Sequence, residues 1–128
     1  MLTKVAYTTL FVGDQEKALD FYTNLLGFEK RVDNPAPDGS RFLMVGLAGQ
    51  EFQIVLWPGT PGKARSAPGP SPAACIIETD DRRKEFERLK ALETEFEEPE
   101  PVEALYAAHA TLVDPAGNRI TLRERRGQ

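Results

Sequence analysis

The spacing of apolar residues predicts a strand and then a helix at the start of the chain. Residues 4–12 alternate in polarity and are rich in Val, Thr and Phe, which is typical of a β-strand. Asp14 follows and is a suitable N-cap. After it, four apolar residues recur every three or four positions and form one helical face: Ala18, Phe21, Tyr22 and Leu25. We expect this helix to end at Gly27.

Three more strands are predicted before a break in the pattern. They lie near 28–33, 40–47 and 50–57, separated by turns that contain Pro, Asp and Gly. Residues 58–72 hold five prolines and three glycines, a composition that excludes a helix or a central strand. We therefore interpret 58–72 as a linker.

The same order of elements then recurs in the second half. A strand is predicted over 73–79 and a helix from about Asp81 to Leu92, with Phe86, Leu89 and Leu92 on its apolar face. Further strands are expected near 94–97, 106–113 and 118–123, and Glu97 to Glu103 reads as a polar loop.

A constant offset relates the two halves. Gly49 and Gly117 are 68 positions apart (117 − 49), and Phe28 and Phe96 share that offset. The pattern indicates an α+β fold of two tandem β-α-β-β-β modules, 1–57 and 73–128, within one domain over 1–128. Because duplicated units commonly form a site between the copies, we expect a ligand cleft there.

Composition narrows the possible functions. The 128 residues suffice for one compact domain, and 41% hydrophobic with 28% charged residues is usual for a soluble protein. A net charge of −4 argues against nonspecific nucleic-acid binding, which needs a basic face. No apolar run reaches a membrane span and no secretory leader is visible at the N-terminus. The single cysteine excludes an intrachain disulfide, so we expect a cytoplasmic protein.

Alternation along the strands separates two sheet faces. The face expected to cover the helices is apolar: Leu10, Val12, Phe52, Ile54, Leu56, Cys75, Ile77, Ile120 and Leu122. The opposite face mixes polar and aromatic residues: Tyr7, Thr9, Phe11, Gln53, Val55, Trp57, Ala74, Ile76, Glu78, Thr121 and Arg123. Such a mixture is typical of a binding cavity, and the alternatives are a plain solvent face or a dimer contact.

Few residues offer chemistry on that second face. His109, the only histidine, is offset by 68 positions from Arg41, so both would occupy equivalent places and flank one cavity. A histidine can exchange protons near neutral pH, whereas an arginine can hold a carboxylate or phosphate. His109 could equally be a partly exposed strand residue. Cys75 falls on the helix side and is expected to be an inert thiol.

Two motifs carry a resemblance to a known family. The pattern D-x-x-x-A-x-x-F-Y-x-x-x-L-G-F begins at Asp14, and D-P-A-G-N spans 114–118. On these motifs the chain resembles the vicinal oxygen chelate superfamily over essentially its whole length. This superfamily includes glyoxalase I, bleomycin-resistance proteins and extradiol dioxygenases. The resemblance implies that the two modules form a cupped mixed sheet and that the protein is a homodimer.

The resemblance also implies where a metal would bind. Four inward side chains, commonly two His and two Glu, hold a divalent ion in metal-using members. The matching positions here are Tyr7, Gln53, Ala74 and Thr121. Because these residues offer neither carboxylate nor imidazole, we predict no divalent metal and no cofactor.

The sequence thus favours a metal-free protein that binds a small organic molecule, as in the bleomycin-resistance branch. The predicted ligand-binding residues are Tyr7, Phe11, Arg41, Gln53, Trp57 and Thr121. The alternative is a glyoxalase-like lyase or a dioxygenase-related enzyme, with His109 and Tyr7 as acid and base or with an unusual metal site using His109 and Glu78. A third possibility is a partner domain whose mixed face is an interface.

Overall fold

The computed structural model describes residues 1–59, 73–103 and 107–125 of the chain, without the side chains of Ala107 and Arg125. The chain divides into two compact units, Met1–Lys63 and Ala64–Gln128, referred to below as module one and module two. Most of the predicted 58–72 linker, residues 60–72, lies outside the described ranges.

Module one is a four-stranded mixed sheet with one helix. Its elements are β1 (Tyr7–Val12), α1 (Gln15–Asp20) continued by a π-helical turn (Phe21–Leu25), β2 (Glu29–Pro35), β3 (Arg41–Gly46) and β4 (Gln53–Pro58). The strand order is β1-β4-β3-β2. β1 runs parallel to β4, and the other neighbours are antiparallel. β1 and β4 each begin three residues later than the alternation predicts.

The helix of module one begins and ends where its signals predict. The Asp14 carboxylate accepts hydrogen bonds from the Glu16 and Lys17 amides, and Gly27 adopts a φ of +83° that favours glycine. The π-helical turn, closed by the Leu26 amide on the Phe21 carbonyl at 3.1 Å, is not predicted by the spacing. Because a π turn holds an extra residue, it changes the helical phase, and Leu25 is only half-buried.

Module two repeats this arrangement with β5 (Cys75–Glu78), α2 (Arg82–Ala91), β6 (Val102–Glu103), β7 (Ala107–Val113) and β8 (Arg119–Arg125). Its strand order is β5-β8-β7-β6, with β5 parallel to β8. The two modules confirm the α+β class and the β-α-β-β-β order. The helices of the described ranges lack the length and the apolar stretch that crossing a bilayer requires.

Three predictions for module two are wrong in detail. The strand expected near 94–97 is reduced to one bridge between Phe96 and Leu112, and the expected loop contains β6. Proline has no amide to donate, so Pro99 and Pro101 interrupt pairing with β7 until Val102. Leu92, assigned to the apolar helix face, is 53% exposed because it lies at the C-cap, beyond the last turn.

The predicted helix-side face forms the buried core of each module. In module one Leu10, Val12, Ile54 and Leu56 are at most 5% exposed, and in module two Ile120 and Leu122 are buried. Phe52, Cys75 and Ile77 are only half-buried. Strand alternation thus separates core residues from the second face of each sheet.

The D-P-A-G-N motif is a turn that leads into β8. The buried Asp114 carboxylate accepts hydrogen bonds from the Ala116 and Asn118 amides at 2.9 and 2.8 Å. The Asn118 side chain donates to the same carboxylate at 3.0 Å. Gly117 takes a φ of +96° inside the turn. The motif therefore stabilises the chain reversal.

Candidate functional site

A cavity of about 430 Å³ opens on the second face of the module one sheet. Six side chains line it: Tyr7, Thr9, Phe11, Phe42, Val55 and Trp57. None of the six is charged, and four are aromatic. The volume lies within the range of small-molecule sites, which are mostly apolar with a few polar groups.

Strand register brings these side chains together. Thr9 pairs with Val55 and Phe11 with Trp57 across the parallel β1–β4 ladder, so each pair points to the same face. β3 contributes Phe42, whose ring centroid lies 6.3 Å from that of Trp57 at an interplanar angle of 63°. This edge-to-face arrangement is a favourable one for aromatic pairs.

Three of the four aromatic side chains of the cavity are open to solvent. Tyr7 is 52%, Phe11 44% and Phe42 37% exposed, although the helix-side neighbours Leu10 and Leu56 are buried. Contiguous exposed apolar surface is uncommon and usually marks a contact with a ligand or partner. The cavity is therefore the candidate binding site of module one.

The backbone beside Phe11 shapes one wall. Gly59 comes directly after β4, and its amide donates a hydrogen bond of 2.9 Å to the carbonyl of Val12, the last residue of β1. A Cβ atom at Gly59 would lie 3.0 Å from Cδ1 of the Phe11 ring. The ring thus occupies space that only glycine leaves open.

Three of the predicted ligand-binding residues, Tyr7, Phe11 and Trp57, line this cavity. Phe42 also lines it but was not singled out from the sequence. β3 reads R-F-L-M-V-G and is apolar on both faces, so its alternation carries little contrast. Phe42 is placed on the cavity face by the pairing of Met44 with Val55, which the sequence does not show.

Tyr7 and Gln53 are direct partners in the β1–β4 register. They occupy the two positions of module one at which the resemblance implies metal ligands. Gln53 is half-buried and is not part of the cavity wall. A neutral phenol and a neutral amide are weak donors for a divalent metal.

The corresponding positions in module two fit a metal no better. Ala74 precedes β5 and has no donor atom in its side chain. Thr121 lies opposite Ile76 in β5, and its hydroxyl is 3.1 Å from that of Thr111. Within residues 1–59, 73–103 and 107–125, no group of three His, Cys, Asp or Glu side chains is placed to hold a metal ion. The residues at the four positions do not fit the metal that the resemblance implies.

Arg41 does not reach the cavity wall. Its guanidinium donates to both carboxylate oxygens of Asp33, at 3.0 and 2.8 Å, and to Glu16 at 2.6 Å. The hydrogen bonds to Asp33 and then Glu16 raise the pKa of Arg41 above its ordinary value. The same pairing lowers the pKa of Asp33 to about 2. Arg41 therefore joins α1, β2 and β3.

The predicted equivalence of Arg41 and His109 is wrong. Arg41 alternates with Leu43 and Val45, which are fully buried, and contacts Glu16 of α1, so it lies on the helix side. His109 is paired with Arg123 in β8 and lies on the second face of its own sheet. The antiparallel registers of the two modules differ, and a fixed offset in sequence cannot show this.

Module two presents a polar row on that second face. His109 of β7 is opposite Arg123 of β8, which in turn is opposite Glu78 of β5. The Arg123 guanidinium donates to the Glu78 carboxylate at 2.8 Å. Both side chains of this ion pair are more than one third exposed, so water screens the interaction. Cys75 lies apart on the helix side, where burial raises the pKa of its thiol.

Comparison with known proteins places the chain in a family. A sequence model of the Glyoxalase/Bleomycin resistance protein/Dioxygenase superfamily matches residues 4–122. YurT of Bacillus subtilis (strain 168), an uncharacterised protein, is 30% identical over 127 residues, covering 93% of this chain and 97% of YurT.

Solved structures agree with this match. TnmS3, an antibiotic binding protein from Streptomyces sp. CB03234, is 30% identical with a TM-score of 0.79, over 98% of both chains. A superfamily member from Sphaerobacter thermophilus DSM 20745 is 31% identical with a TM-score of 0.80, over 97% of this chain and 98% of its own. The fold, the two motifs and these matches show that the chain belongs to the glyoxalase/bleomycin resistance protein/dioxygenase superfamily.

Proposed function

We propose that this protein is a metal-free small-molecule-binding protein, and that the aromatic cavity of module one holds the flat, apolar part of an organic ligand. The predicted placement of a ligand between the modules stays a prediction, and the proposal concerns the cavity of module one. The single observation that carries it is the set of exposed aromatic side chains around about 430 Å³ of open volume.

The character of the wall favours a flat aromatic ligand. Phe42 and Trp57 meet at 63°, and Phe11 lies opposite Trp57 on the neighbouring strand. Ring faces of this kind gain free energy by stacking on a planar ligand, on the order of 1–3 kcal/mol for each stacked ring system. Since no lining side chain is charged, the bound part of the ligand should be neutral.

A few polar atoms can fix the ligand's orientation. The Tyr7 and Thr9 hydroxyls can donate or accept, and the Trp57 indole nitrogen can donate. These groups come from β1 and β4, whose register holds Thr9 opposite Val55 beside the Phe11–Trp57 pair. A planar ligand with one or two carbonyl or hydroxyl groups at its edge would satisfy this arrangement.

Similarity to an antibiotic binding protein supports the class of ligand. TnmS3 shares 30% identity over 98% of this chain. The residues at the four implied metal positions support binding without a metal, because alanine, threonine, glutamine and neutral tyrosine are poor ligands. The homodimer that the resemblance implies belongs to the same proposal, and sedimentation of the full chain would test it.

Calorimetric titration with acridine, a flat neutral probe, tests the proposal, with proflavine and 2-naphthoate as cationic and anionic comparisons. Phe11→Ala removes one ring of the wall and should weaken acridine binding about tenfold. Leu92→Ala is the matched control, since Leu92 is a 53% exposed apolar side chain in module two. It should leave the dissociation constant unchanged.

The titration also has outcomes that contradict the proposal. If acridine does not bind the wild-type protein saturably, or if Phe11→Ala and Leu92→Ala weaken binding equally, the cavity is not the site. Preference for 2-naphthoate over acridine would instead indicate a charged site elsewhere. Recovery of chemically unchanged acridine after long incubation is expected for a binding protein.

A further inference from the structure

We propose that Gln15 is a positioning residue of the aromatic cavity. Its carboxamide fixes the separation of β3 and β4 at the residues that directly precede Phe42 and Trp57. This inference rests on the proposed function, since it concerns the same cavity. Gln15 itself lies on the helix side of the sheet, in the first turn of α1, and does not line the cavity.

Three hydrogen bonds tie Gln15 to two strands. Its Nε2 donates to the Arg41 carbonyl at 2.6 Å and to the Leu56 carbonyl at 2.9 Å. Its Oε1 accepts from the Arg41 amide at 3.1 Å. The side chain is partly buried, so water competes for its hydrogen bonds less than it does for those of an exposed side chain.

These bonds lie where the backbone ladder between the strands ends. β3 and β4 pair through Met44 with Val55, Val45 with Ile54, and Gly46 with Gln53. β3 begins earlier, at Arg41, and β4 continues to Pro58. Among the described residues, the ladder stops short of Phe42 and Trp57, and the Gln15 carboxamide joins the two strand ends instead.

The position of the bonded carbonyls connects Gln15 to the rings. The Arg41 carbonyl belongs to the peptide bond that enters Phe42, and the Leu56 carbonyl to the one that enters Trp57. Holding both carbonyls on one nitrogen atom therefore sets the 6.3 Å spacing of the two rings on the opposite face. The Arg41 side chain fixes the same strand end through Asp33 and Glu16.

The chemistry of the side chain is specific to an amide. A carboxamide supplies two N–H donors and one acceptor, and all three are used here. Glutamate would keep the acceptor but lose both donors and would set a carboxylate oxygen against a carbonyl. Methionine would keep the length and volume while removing every hydrogen bond. Gln15→Met and Gln15→Glu therefore separate bonding from packing.

Trp57 is the only tryptophan of the chain, so its fluorescence reports on this part of the cavity directly. We expect Gln15→Met and Gln15→Glu to raise the quenching of Trp57 by acrylamide and to reduce the aromatic near-ultraviolet circular dichroism, without ligand. Acridine binding should weaken about fivefold, as the loss of a partly buried hydrogen bond at the strand ends predicts. Lys17→Met is the matched control on the exposed side of the same helix and should change neither signal.

The ligand-free signals separate this inference from the proposed function. If Trp57 becomes more accessible in both variants, Gln15 is a positioning residue even where acridine fails to bind the wild type. If both variants fold and their Trp57 signals match the wild type, the inference is overturned.

Hydrogen exchange of the wild-type protein keeps the test valid if the variants do not fold. Gln15 Oε1 accepts from the Arg41 amide, which should then exchange much more slowly than the amide of an unstructured peptide. Exchange at the unstructured rate would overturn the inference.

Discussion

Phe11 illustrates how single residues determine the cavity. It is the register partner of Trp57 across the β1–β4 ladder, and its ring lies 3.0 Å from where a Cβ atom at Gly59 would be. Strand alternation alone predicts that Tyr7, Phe11 and Trp57 share a face, because the residues buried on one side of a sheet determine which residues lie on the other side. It could not predict Gln15, which follows an N-cap and has no sequence signal for its contacts with Arg41.

At this scale we expect Gly59→Ala to reduce the cavity. The new Cβ atom would lie 3.0 Å from the Phe11 ring, which must move toward the open volume. Acridine binding, measured by calorimetry, should weaken about five- to tenfold. The reason is that overpacking between the new methyl group and the Phe11 ring costs about 1–3 kcal/mol. Gly49→Ala is the control, because Gly49 also has a positive φ, of +80°, and nothing lies within 4 Å of its added Cβ. Equal affinities for the two variants would contradict this account of Phe11.

Helix α1 and its π-helical turn combine features that the sequence predicts with one that it does not. The N-cap Asp14, the apolar spacing and the stop at Gly27 are all visible in the sequence. The π turn is not, because it depends on how the helix packs on the sheet, and it leaves Tyr22 fully buried and Leu25 half-buried. The order of burial along the helix therefore departs from simple periodicity.

This order predicts the effect of truncation on stability. Phe21 is 6% exposed, so Phe21→Ala should lower the free energy of unfolding by about 3–5 kcal/mol. Leu25→Ala, at a half-buried position of the same turn, should cost clearly less. Urea denaturation of both variants measures the difference. A cost for Leu25→Ala equal to that for Phe21→Ala would mean that the π-helical turn does not form.

The pairing of Arg41 with Asp33 ties β2 and β3 and makes stability depend on pH. Hydrogen bonds from Arg41 lower the pKa of Asp33 from its ordinary 3.8 to about 2. A lowered folded-state pKa stabilises the protein fully above the unfolded value, and the contribution disappears as pH falls through the folded value. We therefore expect a loss of stability between about pH 4 and pH 2 that is reduced by salt.

Asp33→Asn provides the test of that pairing. The variant should unfold in less urea than the wild type at neutral pH, and the gap should close as pH falls toward 2. Asp80→Asn, at an exposed position in module two, is the control and should keep the wild-type pH profile. A constant gap from neutral pH to pH 2 would show that the pair does not contribute through its charge.

At the scale of the whole molecule, the repeat predicts the fold but not the site. The 68-residue offset and the turn motifs were enough to predict two β-α-β-β-β modules. The second faces of the two sheets have nonetheless diverged: module one carries Phe11, Phe42 and Trp57, and module two carries His109 and the Arg123–Glu78 pair. The strand registers that place these residues depend on tertiary pairing, so the repeat offset wrongly predicts that Arg41 flanks the cavity together with His109.

The most direct measurement is acridine titration of full-length protein stripped with chelator, repeated after addition of Zn²⁺ or Ni²⁺, with elemental analysis of each sample. We expect saturable binding with quenching of Trp57, and the same dissociation constant with and without metal. Binding that requires Zn²⁺ or Ni²⁺, or stoichiometric metal retained with no acridine binding, would contradict it. Either result would show that the protein depends on a bound metal.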